Sequence, residues 1–317
     1  MSDTKPRILV IMGGPDAERE VSLLSGREIA AALRDSDRFQ VREAVIDRPD
    51  AEELHGIIGD AEAVFPALHG RWGEGGPLQV LLEELAVPYV GSRPKPAALA
   101  MNKLASKTLL APFLVRTPRA RLLEPGSPCD LEPPVVLKPV DDGSSVDLRL
   151  CHSAEAIVAA RAELHPKRHY LLAEELIAGR EITVGIVRDE ILPLIEIQPK
   201  TSFYDYEAKY TRDDTTYVLS PDLPEEVARE CREVAETAYR TLGCRDVARV
   251  DFLVDERGPW FLEINTMPGF TSHSLVPMAA KAHGWPMPEL CGALIECALE
   301  RGVSPGGPQR LPAEMPA

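Results

Sequence analysis

The stretch Val250-Asp251-Phe252-Leu253-Val254-Asp255-Glu256-Arg257-Gly258-Pro259-Trp260-Phe261-Leu262-Glu263-Ile264-Asn265 decides the fold of the second half of the chain. Two apolar runs, 247–254 and 260–264, flank Asp255-Glu256-Arg257-Gly258, the pattern of an antiparallel hairpin. Parallel doubly wound sheets lack this unit, because their strands return through helices. Side chains two apart on a strand share a face, so Glu263 and Asn265 project together and Asp251 joins them from the partner strand. Two carboxylates and an amide oxygen are hard ligands suited to Mg2+. The apolar neighbours Phe252, Leu253, Phe261, Leu262 and Ile264 favour that reading over polar pairing on an exposed face.

Working outward, the antiparallel character reaches back to about Arg119. Strands over 135–139 and 146–151 flank a tight turn at Gly143-Ser144-Ser145, Ser153 caps a helix to about Leu164, 171–175 is a strand, and 181–197 folds back at Arg188-Asp189-Glu190. The polar stretch 198–216 carries Phe203, Tyr204, Tyr206 and Tyr210 and fits neither strand nor helix periodicity. Such a loop inside a compact enzyme reads as an active-site lid. Val227, Cys231, Val234, Ala238 and Leu242 recur at helical spacing between Pro224 and Gly243. Two more helices are expected over about 274–283 and 289–301, with a disordered tail over 302–317.

The first hundred residues have a different rhythm. Apolar bursts at 8–12, 41–47, 63–68 and 87–90 alternate with helical patterns, one running to about Arg34 and one around 78–85. That alternation implies a parallel sheet with crossover helices, a Rossmann-like α/β unit. It breaks at Pro94 and Pro96, and a helix over 99–110 opens the next segment. We therefore expect an N-terminal α/β domain over 1–97, followed by α+β units over 98–180 and 181–301, the last holding the 198–216 loop.

Composition narrows the function classes. The 317 residues include 35 basic and 50 acidic side chains, a formal charge of −15 that repels nucleic acid and anionic lipid. An anionic ligand must therefore meet a local basic pocket. No apolar run approaches the roughly 18 to 20 residues that span a bilayer, and no leader pattern precedes the first strand, so the expected location is the cytoplasm. The six cysteines lack metal-ligand spacing and read as reduced thiols. The P-loop, dinucleotide, nucleophile-elbow and zincin motifs are all absent.

What remains is a set of polar clusters at predicted strand ends, where α/β proteins place ligands. Lys138, inside Val135-Val136-Leu137-Lys138-Pro139, stays charged only if it meets an anion, for which phosphate is the natural partner. The following Asp141-Asp142-Gly143-Ser144-Ser145 offers backbone N–H groups and hydroxyls, a nest for phosphates. Lys103 sits near a helix start and reads, in isolation, as solvated. Glu18 and Glu20 suit the dipole of the first helix, which is sufficient for Glu20. His69 opens a glycine-rich turn and, taken alone, reads as structural.

These clusters, in this order, resemble the ATP-grasp superfamily and, within it, the D-alanine:D-alanine ligases. The resemblance spans about 7–301 and is carried most specifically by Glu18-Arg19-Glu20-Val21-Ser22-Leu23, by Phe203-Tyr204-Asp205-Tyr206-Glu207-Ala208-Lys209-Tyr210, and by the run from Glu263 through Thr266-Met267-Pro268-Gly269 to Ser274-Leu275. It implies ATP bound by Lys103, Lys138 and Lys209, with Glu174 and Ile177 at the adenine and Glu181 at the ribose. It implies two Mg2+ (or Mn2+) ions on Asp251, Glu263 and Asn265, with K+ as a candidate further ion. Glu18 takes the ammonium of the first D-alanine, Ser144 and Tyr210 link it to the lid, and His69 orients it. Arg249 and the Gly269 N–H stabilise the oxyanion, while Ser274 and Leu275 receive the second carboxylate. The expected product is D-alanyl-D-alanine, made through an acyl phosphate by a homodimer built on N-terminal helices.

Three positions depart from the family pattern. Asp147 ends the serine-bearing turn where a small residue, commonly Gly, is usual, and a carboxylate pointing inward there repels phosphate. Gly75 stands where Asp is usual, and Asn102 where Asp often precedes the lysine. Alternatives within the superfamily are ligases using D-serine, D-lactate or another second substrate. Outside it stands a nucleotide-binding protein without turnover, motivated by Asp147 alone.

Overall fold

The computed structural model describes residues 5–143, 147–199 and 215–303. The apolar burst at 8–12 becomes β1 (Arg7–Gly13), flanked in parallel by β2 (Gln40–Ile46) and β3 (Ala63–Pro66) in the order β2-β1-β3. Ile8 to Met12 are fully buried, as a strand covered on both faces requires. The crossovers are α1 (Arg19–Asp35) and α2 (Ala51–Ile58). The second was not anticipated, although Asp50 caps it by accepting the Glu53 N–H at 2.9 Å. Two short helices follow, α3 (Gly70–Glu74) and α4 (Pro77–Glu84).

Two expectations for this region need correction. The strand at 87–90 is only a single parallel bridge between Val64 and Tyr89, because the chain turns away at Gly91, φ +107°. The helix over 99–110 is two helices, α5 (Pro94–Met101) and α6 (Lys103–Leu110), broken at Asn102. Asn102 has extended ψ, and its side-chain oxygen accepts the Ala105 N–H at 2.9 Å. It is a helix start inserted into an otherwise helical pattern.

The second sheet joins β4 (Ala120–Leu123), β5 (Val135–Pro139), β6 (Arg149–Cys151) and β7 (Leu171–Glu175), antiparallel in the order β4-β7-β5-β6 and backed by α7 (Ala154–Leu164). Strand β6 starts later than the expected 146, since Asp147 has φ +57°, outside strand geometry. The third sheet is antiparallel, with β8 (Arg180–Val187), β9 (Glu190–Ile191), β10 (Ile195–Gln198), β11 (Thr216–Leu219), β12 (Val247–Asp255) and β13 (Gly258–Asn265). Its order is β11-β10-β8-β12-β13, with β9 folded onto β8. The hairpin read from the sequence is thus β12–β13. Gln198 pairs with Thr216, so the expected 198–216 loop is shorter at both ends. Its interior, 200–214, and the tail from 304 lie outside the described residues.

Against the third sheet packs α8 (Glu225–Leu242), through Cys231, Ala235, Ala238 and Leu242. The last helices are α9 (Leu275–His283) and α10 (Met287–Arg301). Helix α10 lies on α1 and β3: its stripe of Leu290, Leu294, Ile295 and Ala298 shares one apolar core with Ile8, Val10 and Phe65, and with Val187, Ile195 and Val247 of the third sheet. This common core fixes the ends of β1 and β3 beside β12 and the turn before α9. Phe65 and Phe270 meet edge to face there, with ring centroids 5.4 Å apart.

Candidate active site

A cavity of about 560 Å3 opens between the second sheet and the β8, β10, β12 and β13 strands of the third. Seven side chains singled out from the sequence line it: Lys103, Lys138, Glu174, Ile177, Glu181, Asp251 and Glu263. They come from α6, β5, β7, the β7–β8 connection, β8, β12 and β13, so only the assembled fold brings them together.

One wall is a buried charge cluster. Glu174 accepts Lys138 Nζ at 2.7 Å on one carboxylate oxygen and Lys107 Nζ on the other. Burial alone raises a carboxyl pKa, but the two lysines outweigh it and hold Glu174 at about 2. Burial lowers Lys107 to about 8, against the attraction of Glu174. Sequence reading found Lys138 and missed Lys107, whose only signal was its position one helical turn beyond Lys103.

Lys103 is buried, not solvated. Its Nζ donates to the Asp142 carbonyl and lies 3.2 Å from Glu263 Oε2. Burial works against its charge, yet Glu263, joined by Asp142 and Glu174, more than compensates and the pKa is raised. Across the β12–β13 ladder Glu263 faces Asp251 directly. Asp251 accepts Arg249 Nε at 2.9 Å, Arg249 Nη2 at 2.7 Å and Thr183 Oγ1 at 2.6 Å. Asn265 ends β13, the strand of Glu263, its Oδ1 accepting the Met267 N–H at 2.9 Å. Two opposed carboxylates flanked by cationic side chains, with an amide oxygen two residues on, are a donor set that fits a hard divalent cation.

The other singled-out residues come from the starts of α1, α3 and α9. Glu18 precedes α1, and a methyl group on Gly143 would lie 3.4 Å from its Oε1. His69 Nδ1 is 3.1 Å from the Met267 carbonyl, while its buried Nε2 has no hydrogen-bond partner among the described residues. Burial, with Arg249 adding to it, lowers His69 to about 4 and keeps the ring neutral. Glu74, missed by sequence reading, accepts the Gly70 N–H at 3.0 Å. Burial and the nearby Glu18 raise its pKa, so Glu74 holds its proton more readily than an exposed carboxyl does. Ser274 precedes α9; its Oγ accepts the Thr271 N–H at 3.0 Å and would stand 2.8 Å from a methyl group on Gly269. Leu275 opens that helix. Ser144, Lys209 and Tyr210 lie outside the described residues.

The departures have physical explanations. Asn102 caps α6 as an Asp would. A Cβ on Gly75 would lie 2.4 Å from the Arg71 carbonyl oxygen, so the turn after His69 is too tight here for a side chain. Asp147 turns its carboxylate toward Lys167 and Arg168.

A cleft between two antiparallel sheets, lined by buried lysines and by paired acids, agrees with the ATP-grasp architecture that the sequence resembles. The family described as D-ala D-ala ligase C-terminus matches residues 128–296. The chain is 42% identical over 302 residues to the D-alanine--D-alanine ligase of Dechloromonas aromatica, covering 92% of this chain and 97% of that protein. It is 39% identical over 287 residues to that of Syntrophotalea carbinolica, covering 90% and 93%. Among solved structures, the D-alanine--D-alanine ligase of Bacillus anthracis complexed with ATP superposes with a TM-score of 0.83 at 30% identity, covering 94% of this chain and 98% of that one. The chain belongs to the D-alanine--D-alanine ligase family.

Proposed function

We propose that this protein joins two molecules of D-alanine into D-alanyl-D-alanine for peptidoglycan precursor synthesis, converting ATP to ADP and phosphate. The observation that carries the reading is one cleft lined by Lys138 and Glu174, with Lys107 paired to Glu174 behind them, and by the cross-strand pair Asp251 and Glu263, with Glu18 against Gly143 at its edge.

In this reading Glu174 and Ile177 take the adenine, Glu181 the ribose, and Lys103 and Lys138 the phosphates, joined by Lys209. Asp251, Glu263 and Asn265 would hold two Mg2+ or Mn2+ ions, which when bound screen the charge of the triphosphate. Glu18 attracts the ammonium group of the first D-alanine, and neutral His69 orients that substrate. Its carboxylate oxygen attacks the γ-phosphorus, ADP leaves, and an acyl phosphate forms. The amine of the second D-alanine then attacks the acyl carbon, phosphate departs with the transferred oxygen, and the amine loses a proton. Arg249 and the Gly269 N–H stabilise the oxyanion between these events. Ser274 and Leu275, at the N-terminus of α9, receive the second carboxylate. Ser144 and Tyr210 link Glu18 to the 198–216 lid, which with Lys209 and Tyr210 excludes water from the acyl phosphate. The protein acts in the cytoplasm as a homodimer; no helix among the described residues is long and apolar enough to cross a membrane.

The test is phosphate release from Mg-ATP with and without D-alanine, with the product weighed by mass spectrometry. D-alanine-dependent release and a D-alanyl-D-alanine mass are expected. Release that ignores D-alanine, or its absence, contradicts the reading.

A further inference from the structure

Asp147 departs from the small residue expected at the end of the turn between β5 and β6, and its surroundings explain how a carboxylate is accommodated there. Its φ of +57° is a conformation that favours Gly but that Asp tolerates. Leu148 lines the cavity and Asp147 does not. Its oxygens lie 3.6 Å from Arg168 Nη2 and 3.8 Å from Lys167 Nζ. The same Arg168 Nη2 donates to the carboxylate of Asp142, at the other flank of the turn. Asp142 in turn lines the cavity and accepts Lys103 Nζ on its carbonyl. One guanidinium therefore reaches both Asp142 and Asp147.

We propose that Arg168, anchored on Asp142, is a positioning residue that holds the Asp147 carboxylate away from the phosphates of the bound nucleotide. The proposal rests on the nucleotide reading of the cavity. Removing the guanidinium leaves Lys167 as the nearest cation to Asp147, and Lys167 is the more exposed and more distant of the two. The carboxylate is then weakly held and opposes a triphosphate.

Calorimetry without D-alanine separates this role from general damage. The ligands are the non-hydrolysable imido analogue of Mg-ATP, and AMP, which lacks the β- and γ-phosphates. The proteins are the wild type, Arg168→Gln, Asp147→Gly and the double variant. Arg168→Gln is expected to weaken the triphosphate analogue about five- to tenfold, as loss of a charge-assisted contact does, and AMP less than about twofold. Asp147→Gly alone changes little, since Gly adopts positive φ freely. In the Asp147→Gly background the penalty of Arg168→Gln shrinks to less than about twofold. Unchanged binding by Arg168→Gln, equal losses for both ligands, or the same penalty in the Asp147→Gly background each overturns the proposal. A wild-type protein that binds neither ligand overturns the nucleotide reading, and this proposal with it.

Discussion

Asp251 stands directly opposite Glu263 across the β12–β13 ladder, at the pair where the register shifts. Like charges placed so destabilise a ladder unless something compensates them. Here Arg249 and Thr183 hold one carboxylate and Lys103 the other, at 3.2 Å.

Asp251→Asn is expected to lower kcat by at least about a hundredfold, the several kcal/mol that metal charge stabilisation supplies, while leaving the fold intact. Initial rates across a Mg2+ titration check this. Wild-type rates at saturating Mg2+ would remove Asp251 from the metal set.

The Glu174 cluster makes a stability prediction. Lys107→Met leaves the carboxylate with Lys138 alone in a buried wall, and breaking such a pair costs about 3 kcal/mol. Glu174→Gln costs more in the wild type, where it strands two buried lysines, than in the Lys107→Met background, where it strands only Lys138. Urea denaturation of the two single variants and the double variant decides: losses that simply add would show that Lys107 and Glu174 do not act on each other.

His69 ties stability to pH. Its folded pKa of about 4 lies below the 6.5 of an exposed imidazole. The unfolded chain therefore binds more protons between these values, and stability falls as pH drops from 6.5 toward 4, by about 3 kcal/mol in all. His69→Gln lacks this component. Denaturation midpoints at pH 7 and pH 4.5 would show a smaller difference for the variant; identical differences would place the imidazole in solvent.

Gly269→Ala tests the acceptor end of the site. The added methyl meets Ser274 Oγ at 2.8 Å and must displace it. The expected effect is a rise of about tenfold in KM for the second D-alanine, the value of one displaced polar contact, with KM for ATP unchanged. Equal changes in both constants would point to damage beyond the acceptor pocket.

Much of this site was legible because its chemistry lies on strands, where period-two spacing tells which side chains share a face. Glu263 with Asn265, and Lys138 inside an apolar run, needed only that rule. Residues whose role comes from packing between elements were not legible. Lys107 looks like any exposed helix lysine until β7 brings Glu174 against it, and Glu74 looks like a turn acid until Glu18 is placed beside it. The same holds for the fold. Periodicity located α10, but only the assembled core shows it on β3 and α1. The break at Asn102 was hidden because a capping residue inside two consecutive helical patterns leaves the apolar spacing intact.

In the proposed reaction the γ-phosphate activates the first D-alanine carboxylate in this cleft. Turnover of D-alanine labelled with 18O in both carboxylate oxygens tests it directly, by mass analysis of the released phosphate. One 18O per phosphate, matched to the dipeptide formed, is the predicted result. Unlabelled phosphate released together with dipeptide would contradict that activation.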